Sequence, residues 1–215
     1  MKLVMLGAPG SGKGSVADPL SKKLGIPCIS TGDIFRQNIR EKTPLGLLVD
    51  GFISKGELVP DELTNSVVED RIKKEDCKDG FIMDGYPRTL LQAKVFDESL
   101  RRRGEKLDHV INLEVKNEII ISRIASRRVC VACGKIYNTK NNMPALHGIC
   151  DTCGNNVILR DDDSDETVLK RLITYHEKTK ILIDYYNEAN LLINIAGQAS
   201  VEEIVDIIMN SICKE

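Results

Sequence analysis

Two stretches of the chain combine residue type and spacing in ways that do chemistry. The first is residues 7–15, GAPGSGKGS, which follow the apolar run Leu3-Val4-Met5-Leu6. Gly7, Gly12 and Lys13 fit the G-x-x-x-x-G-K-[S/T] spacing of a phosphate-binding loop. A glycine-rich turn between a buried strand and a helix aims successive backbone N–H groups at an anion. The helix N-terminus adds partial positive charge, Lys13 reaches the outer phosphates, and side chains at positions 12 and 14 would crowd the approach. The pattern departs at one place: Gly14 follows the lysine, and the hydroxyl that normally helps hold magnesium comes one residue late, at Ser15.

The second stretch is Cys130-x2-Cys133, then sixteen residues, then Cys150-x2-Cys153. Each pair forms a knuckle that aims two thiolates at one ion, and four thiolates complete a tetrahedron. Four protein ligands leave no open coordination position, so zinc here is structural, tying together an insertion that lacks a core of its own. Seven cysteines cannot pair fully within one chain, and a reducing cytoplasm disfavours the rival disulfides. His147 is not needed as a ligand and reads as an exposed loop residue. Cys28, Cys77 and Cys213 read as small core or surface residues.

The elements that must position these groups follow from short apolar runs at 3–6, 27–30, 81–84, 109–113 and 191–195, separated by helical patterns. Ala93, Phe96 and Leu100 share one helical face; Leu63, Val67, Val68 and Ile72 follow a Pro60-Asp61 start. Buried strands alternating with helices predict an α/β fold with a parallel sheet covered on both faces. Residues 30–59 lack a strand signal and read as short helices, with Ser30 and Asp33 spaced as a capping box and Pro44 opening another helix. Residues 129–159 change composition altogether. The expected division is a core of 1–29, 60–121 and 161–215 with insertions at 30–59 and 122–160.

Composition limits the function classes. With 30 basic and 32 acidic residues the net charge is −2, unsuited to a nucleic-acid backbone as main partner. No apolar run approaches the roughly 20 residues of a membrane helix, and the N-terminus is too short for a signal peptide. A nucleotide-regulated zinc-ribbon protein binding nucleic acid remains a rival, lent slight support by Arg127 and Arg128. A GTPase-type switch would want Ser or Thr after Lys13 and an N-K-x-D; Asn117 is followed by Glu118 and no such motif occurs.

Further motifs, in order, resemble the adenylate kinase family through nearly the whole chain: Ile29-Ser30-Thr31-Gly32-Asp33 with Arg36; Gly56-Glu57-Leu58-Val59-Pro60; Asp84-Gly85-Tyr86-Pro87-Arg88 with Gln92; Arg123; Arg160 with Asp162-Asp163; and Arg171. The resemblance implies a P-loop nucleoside monophosphate kinase fold with a five-stranded parallel sheet and two mobile insertions. It implies Mg-dependent transfer between ATP and AMP to give two ADP, by a cytoplasmic monomer with no nucleic-acid or membrane partner. A kinase for another acceptor base is the alternative.

By the same resemblance Gly10, Ser11, Gly12, Lys13, Gly14 and Ser15 cradle ATP, with Arg123, Arg127 and Tyr137 beside it. Thr31, Arg36, Glu57, Leu58, Val59, Gly85, Arg88 and Gln92 take AMP. Lys13, Arg88, Arg123, Arg160 and Arg171 are the catalytic set, and Arg160 and Arg171 also reach AMP. Magnesium is held by phosphate oxygens and water with Asp84 and Asp33 in its outer shell, which makes Gly14 tolerable. Arginine suits the task because its planar fork takes two phosphate oxygens at once.

Two features stand outside the pattern. Pro19 in VADPLSKKLG loses a bond to the Ser15 carbonyl and is expected to kink its helix. The acidic run at 161–166 lacks the glycine and glutamate of an EF-hand and instead suits the N-terminus of the next helix.

Overall fold

Strands with apolar residues on both faces need cover on two sides, and the computed structural model, which describes residues 1–160 and 162–213, supplies it. Along the chain run β1 (Lys2–Leu6), α1 (Lys13–Leu24), β2 (Cys28–Ser30), α2 (Thr31–Arg40), α3 (Pro44–Ser54), α4 (Asp61–Ile72), β3 (Phe81–Asp84), α5 (Leu90–Arg102), β4 (His109–Glu114) and α6 (Asn117–Ala125). There follow β5 (Arg127–Cys130), β6 (Ile136–Asn138), β7 (Val157–Ile158), α7 (Asp165–Thr174), a π-helical stretch Tyr175–Thr179, α8 (Ile181–Glu188), β8 (Leu192–Ala196) and α9 (Val201–Ile212).

The five expected strands form one parallel sheet in the order β2-β3-β1-β4-β8. Leu3 and Met5 pack under Val16, Ala17 and Leu20 of α1 and Ile204, Val205 and Ile208 of α9. Val4 and Leu6 face the opposite layer, with Val68 and Ile72 of α4, Phe96 and Leu100 of α5, and Leu182 and Tyr186 of α8. The period-2 alternation of β1 thus assigns its side chains to two separate cores. Met5 and Ser30 both pair with Asp84, so the turns after β1, β2 and β3 open at one edge, where open α/β sheets bind ligands.

Residues 30–59 are helical, as their pattern predicts. Only half of the capping box forms: the Ser30 hydroxyl accepts from the Asp33 N–H at 3.3 Å, while the Asp33 carboxylate takes Arg36 Nη2 at 2.5 Å instead. Thr43 caps α3 and Pro44 opens it. Phe35, Val49 and Val59 make a small core here, and α4 lends Leu63 and Val67. The apolar stripe of α4 is therefore shared between two cores.

Residues 129–159 contain more regular structure than their loop-like composition predicts. Three short antiparallel strands, in the order β6-β5-β7, carry a core of Cys130, Tyr137 and Cys150. Pro19 lies inside α1 without ending it. Val16, Ala17 and Leu20 on either side are buried in the sheet interface, and that packing outweighs the missing backbone bond.

Of the acidic run, Asp161 lies outside the described residues, as do Lys214 and Glu215 of the expected core segment. Asp165 and Glu166 occupy the first turn of α7, which Ser164 caps by accepting from the Thr167 N–H. No helix among the described residues is long and apolar enough to cross a membrane.

Candidate active site and metal centre

Between β1 and α1 the chain turns through Gly12, whose φ of 101° is a left-handed conformation open to glycine. A Cβ at Gly12 would meet only Arg123 Nη1, at 3.6 Å, so backbone conformation rather than crowding demands glycine there. No side chain caps α1, which leaves its first-turn N–H groups at Lys13, Gly14 and Ser15 for an anion. Buried beside them, Ser11 Oγ has no hydrogen-bond partner among the described residues. These groups line a cavity of about 400 Å³.

Lys13 Nζ donates to the Gly7 and Ala8 carbonyls of its own loop, at 2.7 and 3.0 Å. Burial pushes its pKa down to about 8; Asp84 works to raise it, and Arg88, Arg171 and Arg127 lower it further. Asp84 shows the complementary shift, upward by burial and partly offset by Lys13 and Arg88. A Cβ at Gly14 would lie 3.4 Å from Asp84 Oδ2, so this carboxylate faces the start of α1, where a cation on the outer phosphates would be met. Asp33 is more exposed and is engaged with Arg36.

Four arginines gather on two carboxylates at the start of α7. Arg160 makes a two-pronged pair with Asp162 at 2.6 and 2.9 Å, and Arg127 makes another with Asp163. Arg171 Nη1 donates to both carboxylates at 3.3 Å, and Arg36 lies 4.0 Å from Asp162. Burial works to raise the Asp162 pKa, but the Arg160 hydrogen bonds and the charges of Arg160, Arg171 and Arg36 hold it well below the usual carboxylate range. Arg88 is anchored separately, its Nε donating to the Gly85 carbonyl at 2.7 Å. Arg123 braces the phosphate loop by donating to the Ser11 and Gly197 carbonyls, both at 2.8 Å.

A second, smaller cavity of about 50 Å³ opens beside the first. Thr31, Glu57, Leu58, Val59, Gly85 and Gln92 line it, and Arg36, Arg88 and Arg171 line both cavities. Thr31 Oγ1 donates to the Gly85 carbonyl at 2.9 Å, and Glu57 takes Lys170 at 2.7 Å. Gln92 is 2 % exposed and bonded at both ends of its amide. Tyr137 borders the larger cavity, but its hydroxyl is committed elsewhere: it donates to Cys150 Sγ at 3.4 Å and accepts from the Asp151 N–H at 2.8 Å. Its ring belongs to the cysteine core, a role that motif order alone did not predict.

The four cysteine sulfurs all lie within 4.8 Å of one another, with Cys130–Cys153 at 3.4 Å and Cys133–Cys150 at 3.6 Å. A tetrahedron of Zn–S bonds has sulfurs about 3.8 Å apart, so the set fits a metal of that size. The Tyr137 hydroxyl holds the Cys150 thiol down at about 6 and the Asn155 backbone N–H lowers Cys153, whereas Cys133, despite the Lys135 backbone, is pushed up to about 12 by burial and its neighbouring thiols. His147 is exposed and outside this cluster.

A parallel sheet carrying a phosphate loop, with a second cavity sharing its arginines, defines a P-loop nucleoside monophosphate kinase. The family described as Adenylate kinase matches residues 5–191. The chain is 50% identical over 206 residues to the adenylate kinase of Caldanaerobacter subterraneus subsp. tengcongensis, covering 96% of this chain and 93% of that protein. It is 47% identical over 214 residues to that of Finegoldia magna, covering the whole of both, and 50% identical over 210 residues to that of Fervidobacterium nodosum, covering 98% and 96%. The chain belongs to the adenylate kinase family, and its activity is phosphoryl transfer between ATP and AMP.

Proposed function

We propose that the larger cavity takes ATP on the loop and the smaller takes AMP, with the two phosphate groups meeting among Arg36, Arg88 and Arg171. The observation carrying this assignment is that these three arginines line both cavities. An AMP phosphate oxygen attacks the γ-phosphorus, the bond to the β-phosphate bridging oxygen breaks, and two ADP result. A phosphate is already an anionic nucleophile, so no general base is required. Positioning and charge supply the catalysis.

The loop amides and Lys13 hold the donor phosphates, which take Lys13 from the Gly7 and Ala8 carbonyls. Arg36 and Arg88 grip the acceptor, and Arg123, Arg160 and Arg171 serve the donor end and the group in flight. Asp162 and Asp163 hold several of these guanidinium groups ready at modest reorganisation cost. Asp84 and Asp33 would hold magnesium, which would supply charge to neutralise the phosphate oxygens. Residues 30–59 and 122–160 act as mobile covers that exclude water, and zinc in the Cys130, Cys133, Cys150, Cys153 set holds the second together.

The acceptor assignment rests on Gln92, Thr31 and the 57–59 edge as adenine contacts. An assay of ADP formation from Mg-ATP against AMP, CMP, UMP and GMP tests it. AMP is expected to be the preferred acceptor by a wide margin; equal use of a pyrimidine monophosphate would overturn it. A monomer working in the cytoplasm completes the reading.

A further inference from the structure

Gln92 carries an amide with two N–H donors and two oxygen lone pairs. One of each is already taken by the protein. Nε2 donates to Asp61 Oδ1 at 2.8 Å, and Oε1 accepts from the Arg88 backbone N–H at 2.7 Å. The second Asp61 oxygen accepts from Thr89 Oγ1 at 2.8 Å, and Thr89 Oγ1 accepts in turn from the Gln92 N–H at 3.1 Å. Asp61 opens α4 and Thr89 caps α5, so the network also ties two helix starts together.

We infer that Asp61 is a positioning residue for acceptor choice: it fixes which way round Gln92 presents its amide to the base. The inference rests on Gln92 touching the acceptor base. Turning the amide over would set Oε1 against a carboxylate that can only accept and Nε2 against an N–H that can only donate. Both ends would lose a buried bond, a costly change at a residue with 2 % exposure.

One orientation is therefore locked, with one N–H and one lone pair left for a ligand. Adenine offers a ring-nitrogen acceptor beside an exocyclic amine donor, whereas hypoxanthine, the same ring system otherwise, reverses the two. A locked amide suits one edge and mismatches the other. The Arg88 half of the lock is backbone and present with any side chain; Asp61 is the half that sequence can change. Its position just after Pro60 gives a helix-start reading on sequence, and only the fold brings it to Gln92, 31 residues away.

The test compares kcat/KM for AMP and IMP in wild type, Asp61→Ala, Asp61→Asn and Gln92→Ala. Asp61→Ala is expected to lower the AMP:IMP ratio roughly tenfold, through a raised KM for AMP with KM for ATP unchanged. Asp61→Asn keeps an oxygen that can face Nε2 and is expected to recover the ratio to within about threefold of wild type. If Asp61→Ala does not fold, Asp61→Ser, a good first-turn residue too short to reach Gln92, carries the same expectation. Equal loss with AMP and IMP, or an unchanged ratio, overturns the inference and leaves Asp61 as a tie between helices. Gln92→Ala separates the two levels. If it leaves the ratio intact, the base-contact reading itself fails; if it collapses the ratio while Asp61→Ala does not, only the role of Asp61 falls.

Discussion

Residues 30–59 pack around Phe35, Val49 and Val59, whereas residues 122–160 have Cys130, Tyr137 and Cys150 at their buried centre. Both segments are too short to bury more than a small core of their own. The first borrows Leu63 and Val67 from α4 of the main body. The second gathers thiols at a local centre, while Ile124 at its start packs with Ala8, Val168 and Leu172 of the body and Arg127 pairs with Asp163. An apolar core shared with the body couples a segment's stability to that body. A core closed by a metal on the four thiols would keep its segment whole whatever its attachment to the body. A hydrogen bond from Arg40 Nη1 to the Val131 carbonyl, at 3.0 Å, joins the two across the cleft.

The work of both segments converges on one arginine of the body. Arg88 belongs to the body, and Arg88→Ala is expected to cut kcat at least hundredfold, the scale of losing a buried charge-stabilising donor, with little change in melting temperature. A variant of near wild-type kcat would remove Arg88 from the chemistry. Next comes the metal. Stripping zinc, or Cys130→Ser, is expected to lower the melting temperature and increase proteolytic cleavage within 122–160 while leaving 30–59 protected. Elemental analysis is expected to give about one zinc per chain; cleavage spread evenly over both segments would erase the distinction.

Val49→Ala probes the other side. It leaves a cavity in the shared core and is expected to cost roughly 2 kcal/mol of global stability, equally with and without chelator. A cost that appears only in the metal-free protein would mean the two cores are not independent.

The smallest effect concerns protons. Lys13 holds its proton up to about 8 in the folded protein and up to the ordinary lysine value of 10.5 when unfolded. The cost of burying its charge is thus fully present below pH 8, and stability contributed at this site rises from pH 8 towards 10.5. Phosphates restore the charge, so ATP binding at pH 9 is expected to take up nearly one proton, visible as buffer-dependent heat in calorimetry. Lys13→Met should abolish the uptake.

Much of this was legible in sequence because it rests on local signals. The phosphate loop, the cysteine spacing, the five strands and the helical nature of 30–59 each depend on neighbours along the chain. What escaped depends on distant partners. Tyr137 sits in the cysteine core because Cys150 and Asp151, 13 and 14 residues further on, come back to it. Asp33 forgoes half of its capping box because Arg36 competes for the carboxylate. Pro19 survives within α1 because the sheet holds the helix on both sides of it. Asp61 reads as an ordinary helix opening until α5 is laid against it.

The central claim is that one cleft holds a triphosphate and a monophosphate together and transfers phosphate only between them. Its most direct measurement is the time course of ADP formation from Mg-ATP with AMP present and with AMP left out. The account expects two ADP for each AMP consumed, and turnover lower by orders of magnitude without AMP, because water is kept from the γ-phosphate. Consumption of ATP at an equal rate in both reactions would contradict it.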